Sequence, residues 1–409
     1  MNRILSGFIL TPIVFAANGA SAEGFIADSK FRLEARNFYY NGDFREDNGV
    51  SKREEWAQGF LLNYESGYTS GAVGFGADAL IFAGYQLDSS PDRSGSGLLP
   101  KRASGKAADE YSKAGYGVKI RLSQTSLRYG MSLPKYPVLQ YNNSRLTPQT
   151  FQGLQVSSTD IDRLTIGLAQ FDKTITPDST DLRDITIAVK DGRYRATGIG
   201  DFYRLGGGSY KLSSNLSTSY FYGELDDVYR QQFMGLVHNT PLGNGNLTTD
   251  LRAFASNDIG AAKAGDVDNR AYAAAFSYSM NNGHSVMATY QVMQGSTGFA
   301  YINNPYLPNY VQYHDFGSAG ERSWQLRYGY DFAALGIPGL SFFTAYIHGD
   351  GLKKVGADKE WERDVEINYA FQGKLKGFSV RLRNATFRSD DLRDIDETRL
   401  IASYLFTSF

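Results

Sequence analysis

Between residues 271 and 280 two kinds of side chain alternate: Tyr272, Ala274, Phe276, Tyr278 and Met280 against Ala271, Ala273, Ala275, Ser277 and Ser279. The same rhythm runs from 323 to 332, where Trp324, Leu326, Tyr328, Tyr330 and Phe332 stand against Ser323, Gln325, Arg327, Gly329 and Asp331. From 361 to 372, Trp361, Arg363, Val365, Ile367, Tyr369 and Phe371 alternate with Glu362, Asp364, Glu366, Asn368, Ala370 and Gln372. A period of two sends successive side chains to opposite faces, so these segments are predicted strands with one apolar and one polar face. Turn signals part them. Asp191-Gly192 is predicted to join strands over 185–189 and 194–199, and Asn281-Asn282-Gly283 to join the 271–280 strand to one over 285–290. Gly243-Asn244-Gly245-Asn246 and Asp350-Gly351 read the same way, because a tight hairpin needs positive φ. Proline keeps out of the strands and collects in two predicted loops, at Pro134, Pro137 and Pro148 and at Pro305 and Pro308. No linker, compositional break or internal repeat divides the chain, so one all-β domain is expected.

Which face is buried depends on the compartment. Arg3, an apolar run over 4–17 and the small-residue site Ala20-Ser21-Ala22 have the layout of a secretory signal peptide over 1–22, leaving an exported domain over 23–409. The run is shorter than the ~20 residues of a helical span, and no later stretch approaches that length. The exported chain is therefore a soluble β-sandwich or a membrane barrel. Composition favours the barrel: Tyr (28) and Phe (26) are abundant and recur at strand ends, as in the aromatic girdles of outer-membrane barrels. The chain also closes on Tyr404, Phe406 and Phe409, although which face of that last segment meets lipid is ambiguous from alternation alone.

At ~10 residues per spanning strand, 16–18 strands leave ample chain for short turns and long outer loops. Eight would leave far too much loop, and a 22-stranded transporter needs an N-terminal plug where strands here begin at Ser29. The expectation is a transmembrane antiparallel barrel of about 18 strands with an aqueous path. With 42 basic and 43 acidic side chains, the balance gives no pointer to nucleic acid. The absence of Cys excludes disulfides, thiolate metal sites and cysteine nucleophiles.

In a barrel the polar faces line the lumen, and they carry the chemistry. Lys30, Arg32, Glu34 and Arg36 share one side, opposite Phe31, Leu33 and Ala35. Lys119 and Arg121 oppose Val118, Ile120 and Leu122, and Arg327 opposes Leu326 and Tyr328. Arg381 and Arg383 oppose Phe378, Val380 and Leu382, and Arg399 opposes Leu400. A cation facing lipid at mid-depth costs ~2–4 kcal/mol, so these are expected to face water. Guanidinium stays charged and matches a carboxylate with a planar two-point fork. The alternative is structural pairing with luminal acids such as Asp331, Glu362 and Glu366, but Arg381 and Arg383 have no acid between them on their own strand. A channel needs several weak, escapable sites. One or two arginine contacts supply the roughly 4 kcal/mol of a millimolar site.

Several sequence blocks then stand out, in order along the chain. They include Phe25-Ile26-Ala27-Asp28-Ser29-Lys30, Arg36-Asn37-Phe38-Tyr39-Tyr40-Asn41, Glu55-Trp56-Ala57-Gln58-Gly59-Phe60 and Ser66-Gly67-Tyr68-Thr69-Ser70-Gly71. Gly74-Phe75-Gly76-Ala77-Asp78-Ala79 and Ser144-Arg145-Leu146-Thr147-Pro148-Gln149-Thr150-Phe151 follow, then Glu321-Arg322-Ser323-Trp324-Gln325-Leu326-Arg327-Tyr328, Gly336-Ile337-Pro338-Gly339-Leu340 and Asp396-Glu397-Thr398-Arg399-Leu400. Together these blocks resemble one family, the OprD-type outer-membrane porins, also called outer-membrane carboxylate channels. The resemblance implies an 18-stranded barrel with inward-folded constriction loops and a ladder of arginines that guides substrate carboxylates, either as a monomer or as a weak homotrimer. It puts Arg145 on the constriction loop and makes Arg381 and Arg383 rungs, with Arg36 and Arg399 as neighbours. Arg121 and Arg327 rest on alternation rather than on motif. Thr147 stands where the family pattern leads one to expect Leu.

Basic amino acid or dipeptide channels of this family need an acid opposite the ladder, for which Asp315 is the candidate. The compact length favours aromatic or cyclic acids such as benzoate. The expected partners are small carboxylates, outer-membrane lipid and lipopolysaccharide; no cofactor, metal or catalytic residue is expected. An outer-membrane enzyme needs a nucleophile and base on one rim, whereas His238, His284, His314 and His348 lie in separate segments without triad or metal spacing.

Overall fold

A computed structural model describes residues 23–46, 49–354 and 357–408, so the predicted signal peptide and Phe409 lie outside the described residues. After a short helix, Glu23–Ala27, the wall strands are β1 (Lys30–Phe44), β2 (Lys52–Glu65), β3 (Val73–Asp88), β4 (Glu110–Leu122), β5 (Thr125–Ser132) and β6 (Thr150–Ser158). They continue with β7 (Leu164–Ile175), β8 (Tyr203–Lys211), β9 (Leu216–Leu225), β10 (Tyr229–Leu242), β11 (Gly245–Asp258) and β12 (Asp268–Met280). The last six are β13 (His284–Gly295), β14 (Arg322–Asp331), β15 (Leu340–Lys354), β16 (Ala357–Ala370), β17 (Phe378–Ser389) and β18 (Ile395–Ser408). Each pairs antiparallel with its sequence neighbours, and β1 pairs with both β2 and β18, which closes an 18-stranded barrel. Closure leaves no open edge, the condition for a sheet to cross hydrocarbon. Among the described residues no helix is long and apolar enough to cross a membrane.

Alternation sets the two faces. Outward, Phe75, Tyr116, Val118, Met234 and Leu326 are each more than half exposed. Inward, Glu55, Gln231, Gln291, Gln325 and Glu362 are buried. Exposed apolar and buried polar side chains invert the arrangement of a water-soluble protein, as a lipid-facing wall requires. The ambiguous last strand resolves the same way: Leu400, Tyr404 and Phe406 point outward, whereas Ile401, Ser403 and Leu405 line an inner cavity.

Two predicted turns come out differently. The segment around Asp191-Gly192 is not a wall hairpin. Residues 176–202 fold into the barrel, where Ile185, Ile187 and Tyr194 join a core with Phe299, Tyr301 and Phe254, and of the two predicted strands just Ile185–Thr186 and Ile199–Gly200 pair. Burying those apolar side chains against the inner wall outweighs the ladder bonds that two more wall strands would add. Asp350-Gly351 lies inside β15, where positive φ at Gly351 (74°) produces a register shift against β16 instead of a turn.

Short turns such as 123–124 and 243–244 mark the end that carries the N-terminal helix and the end of β18. At the other end, the long segments 89–109, 133–149, 176–202 and 296–321 fold inward. Leu98, Leu99 and Leu146 from two of them pack on Phe38, Tyr40, Ala57 and Tyr111 of the wall. A Cβ on Gly84 would lie 2.3 Å from Tyr111 and 2.9 Å from Leu146, so the missing side chain makes room for the constriction segment. Gly84→Val is therefore expected to unseat residues 133–149 and raise single-channel conductance in planar bilayers. Conductance equal to that of the parent would refute this seating.

Candidate functional site

Strand register arranges the site. Glu366, Arg383, Arg399 and Tyr40 occupy one row across β16, β17, β18 and β1. The next row towards the short-turn end holds Asn368, Arg381, Ile401 and Phe38, and the one after it Ser379, Ser403 and Arg36. Rows two residues apart are spaced about 7 Å along a strand, so the cations climb the wall in steps. Arg36, Arg381, Arg383 and Arg399 line one cavity of 340 Å³ together with Asn143 and Ser144 of the constriction segment.

Acids orient these arginines. Glu366 forms ion pairs with Arg383 Nε (2.9 Å) and Arg381 Nε (3.6 Å), so the acid missing between the two on their own strand is supplied by the next one. Glu34 takes Arg36 (2.8 Å) and Glu397 takes Arg399 (2.6 Å). Arg36 also donates to the Arg145 carbonyl (2.9 Å) and to Asn143 Oδ1 (3.1 Å), tying the constriction segment to β1. Arg145 itself lies over the Tyr40 ring at 5.7 Å, and among the described residues it has no carboxylate within ion-pair distance. In ion pairs these five cations meet three acids, so Arg381 and Arg383 share Glu366 and, among the described residues, Arg145 stands without a carboxylate. The exposure of Arg381 (48 %) and Arg383 (20 %) leaves guanidinium surface open to the path. Thr147, the departure from the family pattern, is buried and donates to the Pro177 carbonyl (2.7 Å), so its hydroxyl joins the constriction segment to residues 176–202.

A second cavity, of 610 Å³, shares Asn143, Ser144, Arg383 and Arg399 with the first and continues it across the lumen to Lys135, Arg252, Tyr306 and Tyr310. Residues 296–321 form its far side. Their position is fixed by wall carboxylates: Glu362 accepts the N–H groups of Tyr313 (2.8 Å) and His314 (2.9 Å), and Asp364 that of Gln312 (3.1 Å). The Gln312 carbonyl accepts from Arg399 (3.0 Å), joining this segment to the wall formed by β16–β18. Glu362, expected as an arginine partner, instead binds loop backbone.

The remaining predicted residues sit elsewhere. Arg121 is luminal but at the short-turn end, 4.3 Å from the Tyr68 ring centroid. Arg327 lies over Phe343 (4.7 Å), two strands from Asp364 in register. Neither lines the two cavities. Asp315 does not face the path as an acidic counterpart to the ladder: it is buried, gripped by Arg193 at 2.8 and 2.7 Å and by the Tyr301 hydroxyl at 2.8 Å. Burial pushes its carboxyl up, but Arg193, with Lys190 and His314, outweighs this and holds it well below the usual carboxylate range. Asp191, His314 and Asp315 come close enough to suggest a metal site. The Arg193 guanidinium, bound to Asp315 and 3.4 Å from Asp191, already supplies the positive charge there. Sequence reading missed Arg193, Lys135 and Arg252. Of these, Arg252 had a usable signal, because Asp250 and Arg252 share the polar face of an alternating segment.

A closed barrel with a lipid-facing exterior and a polar, loop-constricted lumen defines a porin, a channel rather than an enzyme. The chain belongs to the OprD family: the profile described as outer membrane porin, OprD family, matches residues 23–408. It is 37% identical to Porin D of Pseudomonas aeruginosa, covering 95% of this chain and 93% of that one. The crystal structure of Pseudomonas aeruginosa OccK9 (OpdG) superposes with a TM-score of 0.91 at 42% identity, over 94% of this chain and all of that one. The structure of Pseudomonas aeruginosa OpdK with vanillate gives 0.88 at 36% identity, with the same coverage. The protein is thus a Gram-negative outer-membrane porin for passive uptake of small molecules.

Proposed function

We propose that the channel selects small carboxylates, ring acids such as benzoate above all, with Arg383 and Arg399, then Arg381, then Arg36 as successive contacts. The observation that carries this reading is the stepped row of guanidiniums on one wall of the constriction, where Arg381 and Arg383 share a single carboxylate. An incoming carboxylate meets cations already oriented by Glu366, Glu397 and Glu34, and a cation shared with an acid holds it weakly enough to release. Tyr141, Tyr306 and Tyr310 line the same cavity and offer faces for a ring. The vanillate complex of OpdK, a relative with the same fold, supports a ring acid as the substrate class. A basic amino acid would need a free acid across from the ladder; Asp250, the acid on that side, is committed to Arg252 (2.6 Å).

In proteoliposomes, benzoate is expected to enter several-fold faster than benzamide, a neutral molecule of the same shape. Equal rates for the two would sink the proposal.

A further inference from the structure

We propose that Lys135 and Arg252 form a second anion-binding locus across the path from the ladder, so that the preferred ring acids carry two carboxylates. The proposal deepens the carboxylate reading above and rests on it. Both cations line the 610 Å³ cavity that also holds Arg383 and Arg399. They come from different parts of the chain. Arg252 is on β11, seven strands from β18 in a ring of eighteen and so on the far wall, and Lys135 is on the constriction segment. Arg252 is aimed by three contacts: Asp250 (2.6 Å), the face of Tyr306 (3.8 Å to the centroid) and the Tyr306 carbonyl (3.1 Å). Lys135 is exposed, sits 5.7 Å from the Tyr141 ring centroid and has no ion-pair partner among the described residues. Asp250 offsets one of the two charges, so the locus keeps one uncompensated cation.

Its distance from the ladder is bounded by covalent geometry. Tyr306 binds Arg252 and Gln312 binds Arg399, and the six residue steps from 306 to 312 reach at most roughly 21 Å when extended. The turn closed by Tyr310 N–H on the Leu307 carbonyl (3.2 Å) shortens that reach. A monocarboxylate satisfies one wall of the cavity. A ring with carboxylates at opposite ends satisfies the ladder and the far wall together, with Tyr306 and Tyr310 between them.

The test compares block of single-channel current by benzoate and by benzene-1,4-dicarboxylate at fixed ionic strength. The parent protein is expected to be half-blocked by the dianion at roughly fivefold lower concentration, the effect of one added exposed ion pair. In Lys135→Gln combined with Asp250→Asn/Arg252→Gln, which leaves no acid unpaired, that ratio falls towards one. Equal half-blocking concentrations in the parent, or a ratio kept in the variant, overturn the second locus. Failure of the ladder itself reads out separately, as benzoate block insensitive to Arg381→Ala/Arg383→Ala. Retained barrel mobility on unheated gels verifies that each variant folds.

Discussion

The Arg381→Ala/Arg383→Ala double variant is expected to take up benzoate roughly tenfold more slowly than the parent, the effect of about 1.4 kcal/mol in binding at the constriction. Losing two guanidiniums is only part of the reason. Glu366, which now holds Arg383 at 2.9 Å and Arg381 at 3.6 Å, would be left facing the path with nothing to neutralise it. A bare carboxylate repels an approaching one by about 1 kcal/mol at 4 Å in water and by more in a narrowed lumen. Adding Glu366→Gln should therefore recover part of the lost uptake, a rescue that a purely structural role for the arginines would not give. Bi-ionic reversal potentials should move towards cation selectivity in the double variant and partly back in the triple. Uptake unchanged in the double variant would remove both arginines from the conduction path.

Asp315→Asn is expected to weaken the fold locally by roughly 3–5 kcal/mol, the usual consequence of leaving one partner of a buried ion pair uncompensated. Arg193 has a side chain only 7% exposed and loses its bidentate partner, while Tyr301 loses its acceptor. Residues 296–321 would then detach from the 176–202 segment, widening the path and adding conductance substates. Arg193→Met/Asp315→Leu, which removes both charges, should cost far less. The pH dependence has a definite sign. The folded Asp315 carboxyl titrates well below its unfolded value of ~3.9, so its stabilisation is complete above that value and is lost as pH falls through the lower folded one. Protease resistance of the 296–321 segment should accordingly persist at pH 5 and disappear only in stronger acid. Asp315→Asn, already without the interaction, should show no such acid step. A parent segment that releases near neutral pH would refute the assignment.

The barrel wall was legible because alternation is a local property. A residue such as Leu326 or Arg327 reveals its face through its immediate neighbours, and the price of a charge in lipid settles which face is outside. The luminal face of these arginines was legible for the same reason: Arg36, Arg381, Arg383 and Arg399 alternate with apolar residues, and in the fold they line one cavity. Arg121 and Arg327 followed the same rule to the lumen but not to the constriction, since alternation gives the face and not the height. Asp315 misled because an acid on a loop beside aromatics looks the same in sequence whether it faces water or a buried arginine 122 positions away.

The sequence by itself determined the all-β class, the inside and outside of most strands and the luminal side of Arg36, Arg121, Arg327, Arg381, Arg383 and Arg399, because these follow from period-two patterning and the cost of placing charge in hydrocarbon. Only the tertiary structure decided which of those cations share a row, that Glu366 serves Arg381 and Arg383 from the neighbouring strand, and that Lys135 and Arg252 face them across the lumen. Those relations depend on strand register and on inward-folded loops held by contacts between residues far apart in the chain, which no local pattern encodes.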